Sequence, residues 1–131
     1  MSSFTTPLIC KYIDGQNWEI VEDFCYHVGE YPSSSIITVE QHFITDFASI
    51  PRIFHPIVSP TGEHGKAAVI HDWLYRTHQC SRKVADDIFL EAMQVLGVSR
   101  WKRIVMYKAV RWFGSSSYNQ MKGKISYADI D

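Results

Sequence analysis

The chain is predicted to be an α+β domain in which a small N-terminal antiparallel sheet is followed by a three-helix region containing a helical hairpin. Three observations predict it. Short β-like runs punctuated by turn residues fill the first third, apolar residues recur at helical spacing from Lys66 onward, and the two kinds of segment are segregated rather than alternating. With 131 residues, 46% of them hydrophobic and 21% charged, one globular domain with a sizeable core is expected. Its expected parts are a mainly β region over 1–42, an irregular crossover over 43–64, a helical region over 65–114 and a C-terminal tail over 115–131.

Leu8 to Ile13 and Trp18 to Glu22 flank Asp14-Gly15-Gln16-Asn17, a hairpin-turn composition. Phe24 to Val28 and Ile36 to Val39 are the next two strands, around the segment Gly29 to Ser35. Pro56, Pro60 and Gly62 make residues 53–64 an irregular crossover. The first helix is expected from Lys66 to Gln79. The second runs from Arg82 to Leu96, with Ser81 as N-cap and Gly97 closing it. A third, capped by Ser99, covers Arg100 to Phe113 and is expected to stop at Gly114. On it Arg100, Arg103, Tyr107 and Arg111 form one stripe, predicted to be solvated. Trp101, Val105, Ala109 and Trp112 form the other, predicted to face the core. The polar tail from Ser115 onward, with isolated Tyr118, Met121, Ile125, Tyr127 and Ile130, would be loose on its own and is expected to be held by neighbouring groups.

No apolar run is long enough to span a bilayer, and Met1 to Thr6 has neither a basic nor a hydrophobic stretch, so neither a transmembrane segment nor a secretion signal is expected. Cys10, Cys25 and Cys80 have no zinc spacing and are an odd set for disulfides, so free thiols are expected. The net charge of −1 hides an asymmetry: residues 1–64 hold eight acids and two bases, residues 65–131 six acids and eleven bases. That polarity suits self-association head to tail or docking to an anionic surface. The basic third helix matches no nucleic-acid motif, and a nucleic-acid partner is not expected.

The chemistry lies in the hairpin. Residues three, four and seven apart share a helix face, so Ala67, His71, Leu74, Tyr75 and His78 line up, as do Asp86, Phe89, Leu90 and Met93. An unpaired charge at Asp86 would cost several kcal/mol if buried. Cys80-Ser81 leaves room only for an antiparallel hairpin, which brings His71 to Asp86. Such a dyad orients an imidazole for proton transfer, as in hydrolytic sites, and it also serves as a polar contact between helices. Thr45-Asp46-Phe47-Ala48-Ser49 before Pro51 is a turn leaving a strand. Ser49 and Arg52 are candidates for substrate or anion binding. Asp46 is either a third carboxylate near the dyad or a cap of its own backbone. Asp72, one residue around from His71, is a candidate cation ligand with Asp46, or is solvated beside Arg76. His64, His71 and His78 would lie about 10 Å apart in succession on a helix, too far to share one ion.

The run His71-Asp72-Trp73-Leu74-Tyr75 followed by Asp86, Phe89 and Met93 resembles the helical hairpin of secreted and bacterial phospholipase A2 enzymes over about thirty residues. That resemblance implies His71 as base, Asp72 as calcium ligand, and Tyr75 with Asp86 as the pair orienting the histidine. This chain departs from it in having no cysteine pairs across the hairpin and only Thr61-Gly62-Glu63-His64-Gly65 where those enzymes carry a calcium loop. A broader resemblance rests on Phe43-Ile44-Thr45-Asp46-Phe47-Ala48-Ser49-Ile50-Pro51-Arg52 and Ala67-Ala68-Val69-Ile70-His71-Asp72-Trp73-Leu74-Tyr75. From about Phe43 to Gly114 the chain is similar to a family of small proteins of tailed bacteriophages and prophages, domain of unknown function 1353.

Three functions follow as expectations. The first is a virion or tail component carrying a His71/Asp86 hydrolase-like site, phospholipase-like or directed at the cell wall, with calcium as its candidate cofactor and envelope lipid or peptidoglycan as substrate. The second is a purely structural tail adaptor that associates with other phage proteins and with itself. The third is a host-takeover factor in the host cytoplasm.

Overall fold

The computed structural model describes residues 3–15, 17–29, 35–47, 49–54 and 64–128. The segment 30–34, the crossover residues 55–63 and the tail residues 129–131 lie outside them.

The architecture is α+β, with antiparallel strands followed by three helices. The strands are β1 (Ser3–Phe4), β2 (Cys10–Asp14), β3 (Asn17–Ile20), β4 (Phe24–Val28), β5 (Ser35–Val39) and β6 (Ile44–Thr45). They form two three-stranded sheets, ordered β1-β4-β5 and β2-β3-β6, rather than one. The division arises because Ile44–Thr45, expected in the crossover, pairs with Trp18 and Glu19 and so claims the second edge of β3. β4 therefore pairs with β1 and β5 instead. The chain then makes a 3-10 turn at Arg52–Phe54.

Helix α1 (Gly65–Thr77) is buried almost all round from Ala67 to Tyr75, the signature of a central helix. It packs against both sheets and both other helices. It ends without glycine: His78 takes the left-handed conformation (φ 52°), and its amide donates to the Leu74 carbonyl. The His78 ring stacks on Tyr118 at 3.7 Å, and its Nε2 donates to the Tyr118 carbonyl at 2.7 Å, which holds that conformation in place. Helix α2 (Arg82–Val95) is capped by Ser81, whose Oγ accepts from the Val84 amide.

Helix α3 departs from expectation twice. It runs through Gly114, from Arg100 to Met121. A Cβ at Gly114 would sit 2.5 Å from the Tyr75 hydroxyl, so the glycine serves close packing of α3 on α1 and not helix termination. It is also rotated by about one residue, roughly 100°, from the predicted orientation. Met106, Ala109, Val110 and Gly114 are buried, while Trp101, Val105 and Trp112 face solvent. The basic stripe turns inward in part: Tyr107 donates to Asp87 at 2.6 Å and Arg111 to Asp86 at 2.8 Å.

The segment after α3 is tied down by the chain's own earlier elements. Gly123 donates its amide to the Arg76 carbonyl, Ile44 donates to Ser126, and Ala128 donates to His42, so the chain returns beside β6. One hydrophobic cluster draws on both sheets and all three helices, including Ile20, Phe24, Val39, Ile70, Phe89 and Met106. All three cysteines are free thiols. Among the described residues no helix is long and apolar enough to cross a membrane.

Candidate functional site

His71 and Asp86 meet across the α1–α2 hairpin. His71 Nε2 lies 2.7 Å from Asp86 Oδ1, and both side chains are fully buried. A carboxylate only accepts, so Nε2 carries the proton. The other ring nitrogen, Nδ1, lies 3.0 Å from Ser49 Oγ, which donates to it when the ring is neutral. Tyr75, one turn after His71, donates its hydroxyl to the same Asp86 oxygen at 2.7 Å. The second oxygen, Oδ2, accepts from Arg111 Nη1 at 2.8 Å and from Arg82 Nη1 at 3.5 Å. Burial works against the Asp86 charge, but the hydrogen bonds from His71, Tyr75 and Arg111 outweigh it and hold the carboxyl below its ordinary range. Burial, reinforced by the Asp86 carboxylate, pushes the Tyr75 phenol far up.

A second cluster adjoins the first through Ser49. Asp72 Oδ1 accepts the Ser49 amide at 3.3 Å, and Oδ2 accepts from Thr45 Oγ1 at 2.8 Å and from Arg76 Nε at 3.2 Å. Asp72 is therefore buried and bonded, not solvated. Burial raises its pKa, Arg76 opposes that rise, and the Asp46 charge adds to it. Arg76 Nη2 also meets Asp46 Oδ1 at 2.7 Å, and Nη1 donates to the Lys124 carbonyl at 2.7 Å. Asp46 thus belongs to the Arg76 cluster, one step removed from the dyad. Thr45 also caps the turn: its Oγ1 accepts the Phe47 amide at 3.4 Å. Phe47 itself sits at φ 58°, an uncommon conformation for a bulky side chain. It bends the chain where Thr45 and Ser49 both turn towards α1.

Of the residues singled out from sequence, His71, Asp86, Tyr75 and Ser49 form one connected network, and Asp72 and Asp46 share Arg76. Arg52 lies exposed on the 3-10 turn. The donor set around Asp72 and Asp46 does not fit calcium. The ion takes six or more oxygens, whereas here a guanidinium stands between the two carboxylates and supplies the positive charge. Among the described residues no group of three or more metal-ligating side chains converges. Cys80 is a poor nucleophile, because burial and the nearby Asp86 charge push its thiol pKa up.

The Thr45–Ser49 turn and the His71 hairpin both fall within a stretch shared with other proteins. Residues 18–110 match the family described as "Protein of unknown function (DUF1353)". The chain belongs to that family. It is also similar to the uncharacterised protein y4iH of Sinorhizobium fredii, 38% identical over 72 residues. That match covers 53% of this chain and 30% of y4iH, so what the two share is less than a third of that relative's length. No solved structure matches.

Sequence reasoning missed three members of this family member's site. Arg82 was legible as the i−4 neighbour of Asp86 on the same helix face. Thr45 lies two residues ahead of a bent turn, a position from which a hydroxyl commonly bonds locally, but its reach to Asp72 required the packing of β6 on α1. Arg111 carried no local signal, being 25 residues from the carboxylate it pairs with.

Proposed function

We propose that this protein is a structural component of a bacteriophage particle, an adaptor of the tail, and that its His71–Asp86 network locks the helices together without performing catalysis. The phage setting rests on the sequence resemblance over Phe43–Gly114. The non-catalytic role rests on one observation: His71 and Ser49, the groups that would have to meet water or substrate, are both buried.

Closure matters because a base must reach substrate or water. The backbone amide of Ser49, where an oxyanion would need a donor, points instead at the Asp72 carboxylate. A negative charge there opposes the charge that acyl transfer develops. A fully satisfied polar network does what an adaptor needs, since it makes one arrangement of three helices far better than its neighbours.

A second reading has its own support. Ser49, His71 and Asp86 are connected in the order hydroxyl, imidazole, carboxylate, and Tyr75 braces the carboxylate as the phospholipase A2 resemblance implies. In that reading the site opens over Ser49 to act on phospholipid or peptidoglycan. The two separate in experiment. Virions are assayed for the protein, and purified wild type, Ser49→Ala and His71→Asn are assayed for stability and for hydrolysis of phospholipid vesicles and peptidoglycan. The adaptor reading expects the protein in particles, no turnover by wild type, and lower stability in His71→Asn. Turnover by wild type that Ser49→Ala or His71→Asn abolishes, with folding intact, overturns it in favour of the hydrolase. Absence from virions overturns both.

A further inference from the structure

Helix α3 presents its largest side chains to solvent. Trp101 is 67% exposed, Trp112 72% and Phe113 67%, with Val105 between them at 44%. Trp101, Val105, Lys108 and Trp112 follow one another at helical spacing and form a single stripe. Two hollows flank it, of about 90 and 240 Å³, sharing Phe54 and Val105 in their walls. Three aromatic rings at two-thirds exposure, together with Val105, offer on the order of 500 Å² of apolar surface. That is about the apolar share of one side of a standard interface, and it exceeds what single exposed side chains on a monomer present.

Charge identifies the occupant. From Arg100 to Met121 the helix has five basic residues and no acid, so packing α3 against α3 of another copy would oppose like charges. The acid-rich part of the chain is the N-terminal half, and there β2 is an outer strand of its sheet with Lys11 to Asp14 exposed. Tyr12 and Ile13 on β2, and Ile9 just before it, are exposed apolar groups. Asp14 at the end of β2 and Glu22 and Asp23 just after β3 are exposed as well, three acids against the exposed Lys11 of β2. α3 packs on α1 and α2 while β2 packs on β3, so the two surfaces belong to different layers of one molecule.

We infer that the aromatic face of α3 in one copy docks on the acid-rimmed β2 surface of a second copy, head to tail. Such an interface uses two different patches, so it continues into rings or filaments instead of stopping at a two-fold dimer. The inference names a partner for the structural reading above, but it does not depend on the state of the His71 network.

The test is sedimentation of the full-length chain over a concentration series, with circular dichroism to verify folding. Wild type is expected to associate. Trp112→Lys, a change at an exposed position, is expected to move the association midpoint at least tenfold upward. Arg100→Glu/Lys108→Glu and Asp14→Lys/Glu22→Lys are each expected to weaken assembly, and mixing these two variants to restore it, because each then offers the other a complementary face. Wild type that stays monomeric, including one that binds phosphatidylglycerol vesicles instead, overturns the inference. So does an assembly broken by Trp112→Lys but indifferent to Asp14→Lys/Glu22→Lys, which would be a two-fold α3 dimer. Loss of association would leave the virion assay untouched, so the two proposals fail separately.

Discussion

Arg111 of α3 and Asp86 of α2 meet at 2.8 Å, with the carboxylate fully buried and the guanidinium reaching it from the helix surface. This contact fixes how α3 sits on the hairpin. Without it Asp86 Oδ2 would depend on Arg82 at 3.5 Å.

Replacing Asp86 tests the hub directly. Asp86→Ala strips the acceptor from His71, Tyr75 and Arg111 together and is expected to cost about 3–5 kcal/mol, the range for breaking one side of a buried pair. Urea unfolding measures it, and a loss below 1 kcal/mol would show that the network is not structural. Asp86→Asn adds a pH signature. The folded carboxyl is held low, so its contribution is present above the unfolded value near 3.9 and disappears as pH falls through the folded one. Wild type should lose stability in that acid window, and Asp86→Asn should lose less.

Arg76 is expected to show the opposite pH behaviour. Burial raises the Asp72 pKa and Arg76 counters it, so Arg76→Leu leaves a buried carboxylate near Asp46 with no cation. For a group with a raised folded pKa, stability is present at low pH and lost as pH rises through that value. The melting temperature of Arg76→Leu should therefore fall furthest below wild type at neutral pH. The gap should narrow on acidification, as Asp72 takes up a proton. A gap that does not change with pH would assign Arg76 a packing role alone.

Gly114 carries a steric prediction. Alanine normally stabilises a helix interior by about 1 kcal/mol relative to glycine. Here its Cβ would fall 2.5 Å from the Tyr75 hydroxyl, and the net effect of Gly114→Ala should be destabilising by about 1–2 kcal/mol. In a Tyr75→Phe background the clashing oxygen is gone, and the same substitution should cost less. A double-mutant cycle with no coupling between the two positions would refute the contact.

The elements were legible to different degrees, for different reasons. The hairpin was readable because its determinants are local: Ser81 caps α2 through its own first turn, and helical spacing alone turns His71 and Asp86 to one side. The β6 pairing was not readable, since Ile44–Thr45 is two residues long and is recruited by the free edge of β3. Gly114 was misread because glycine as a helix stop and glycine as a close-approach site look the same in one dimension. Within the site, Arg82 lay open to an i,i+4 reading, whereas Thr45 depended on how β6 meets α1.

By itself the order of residues determined that strands precede helices, that two helices fold back on each other, and that an imidazole and a carboxylate face inward between them. Caps, turns and periodicity act over a few residues, and those features need nothing more. Only the tertiary structure decided that there are two sheets, that α3 turns Arg111 inward and its tryptophans outward, and that Ser49 closes over His71. The reason is that a buried carboxylate must have each of its oxygens satisfied, and the group that satisfies Asp86 Oδ2 arrives from a helix whose rotation no local pattern encodes.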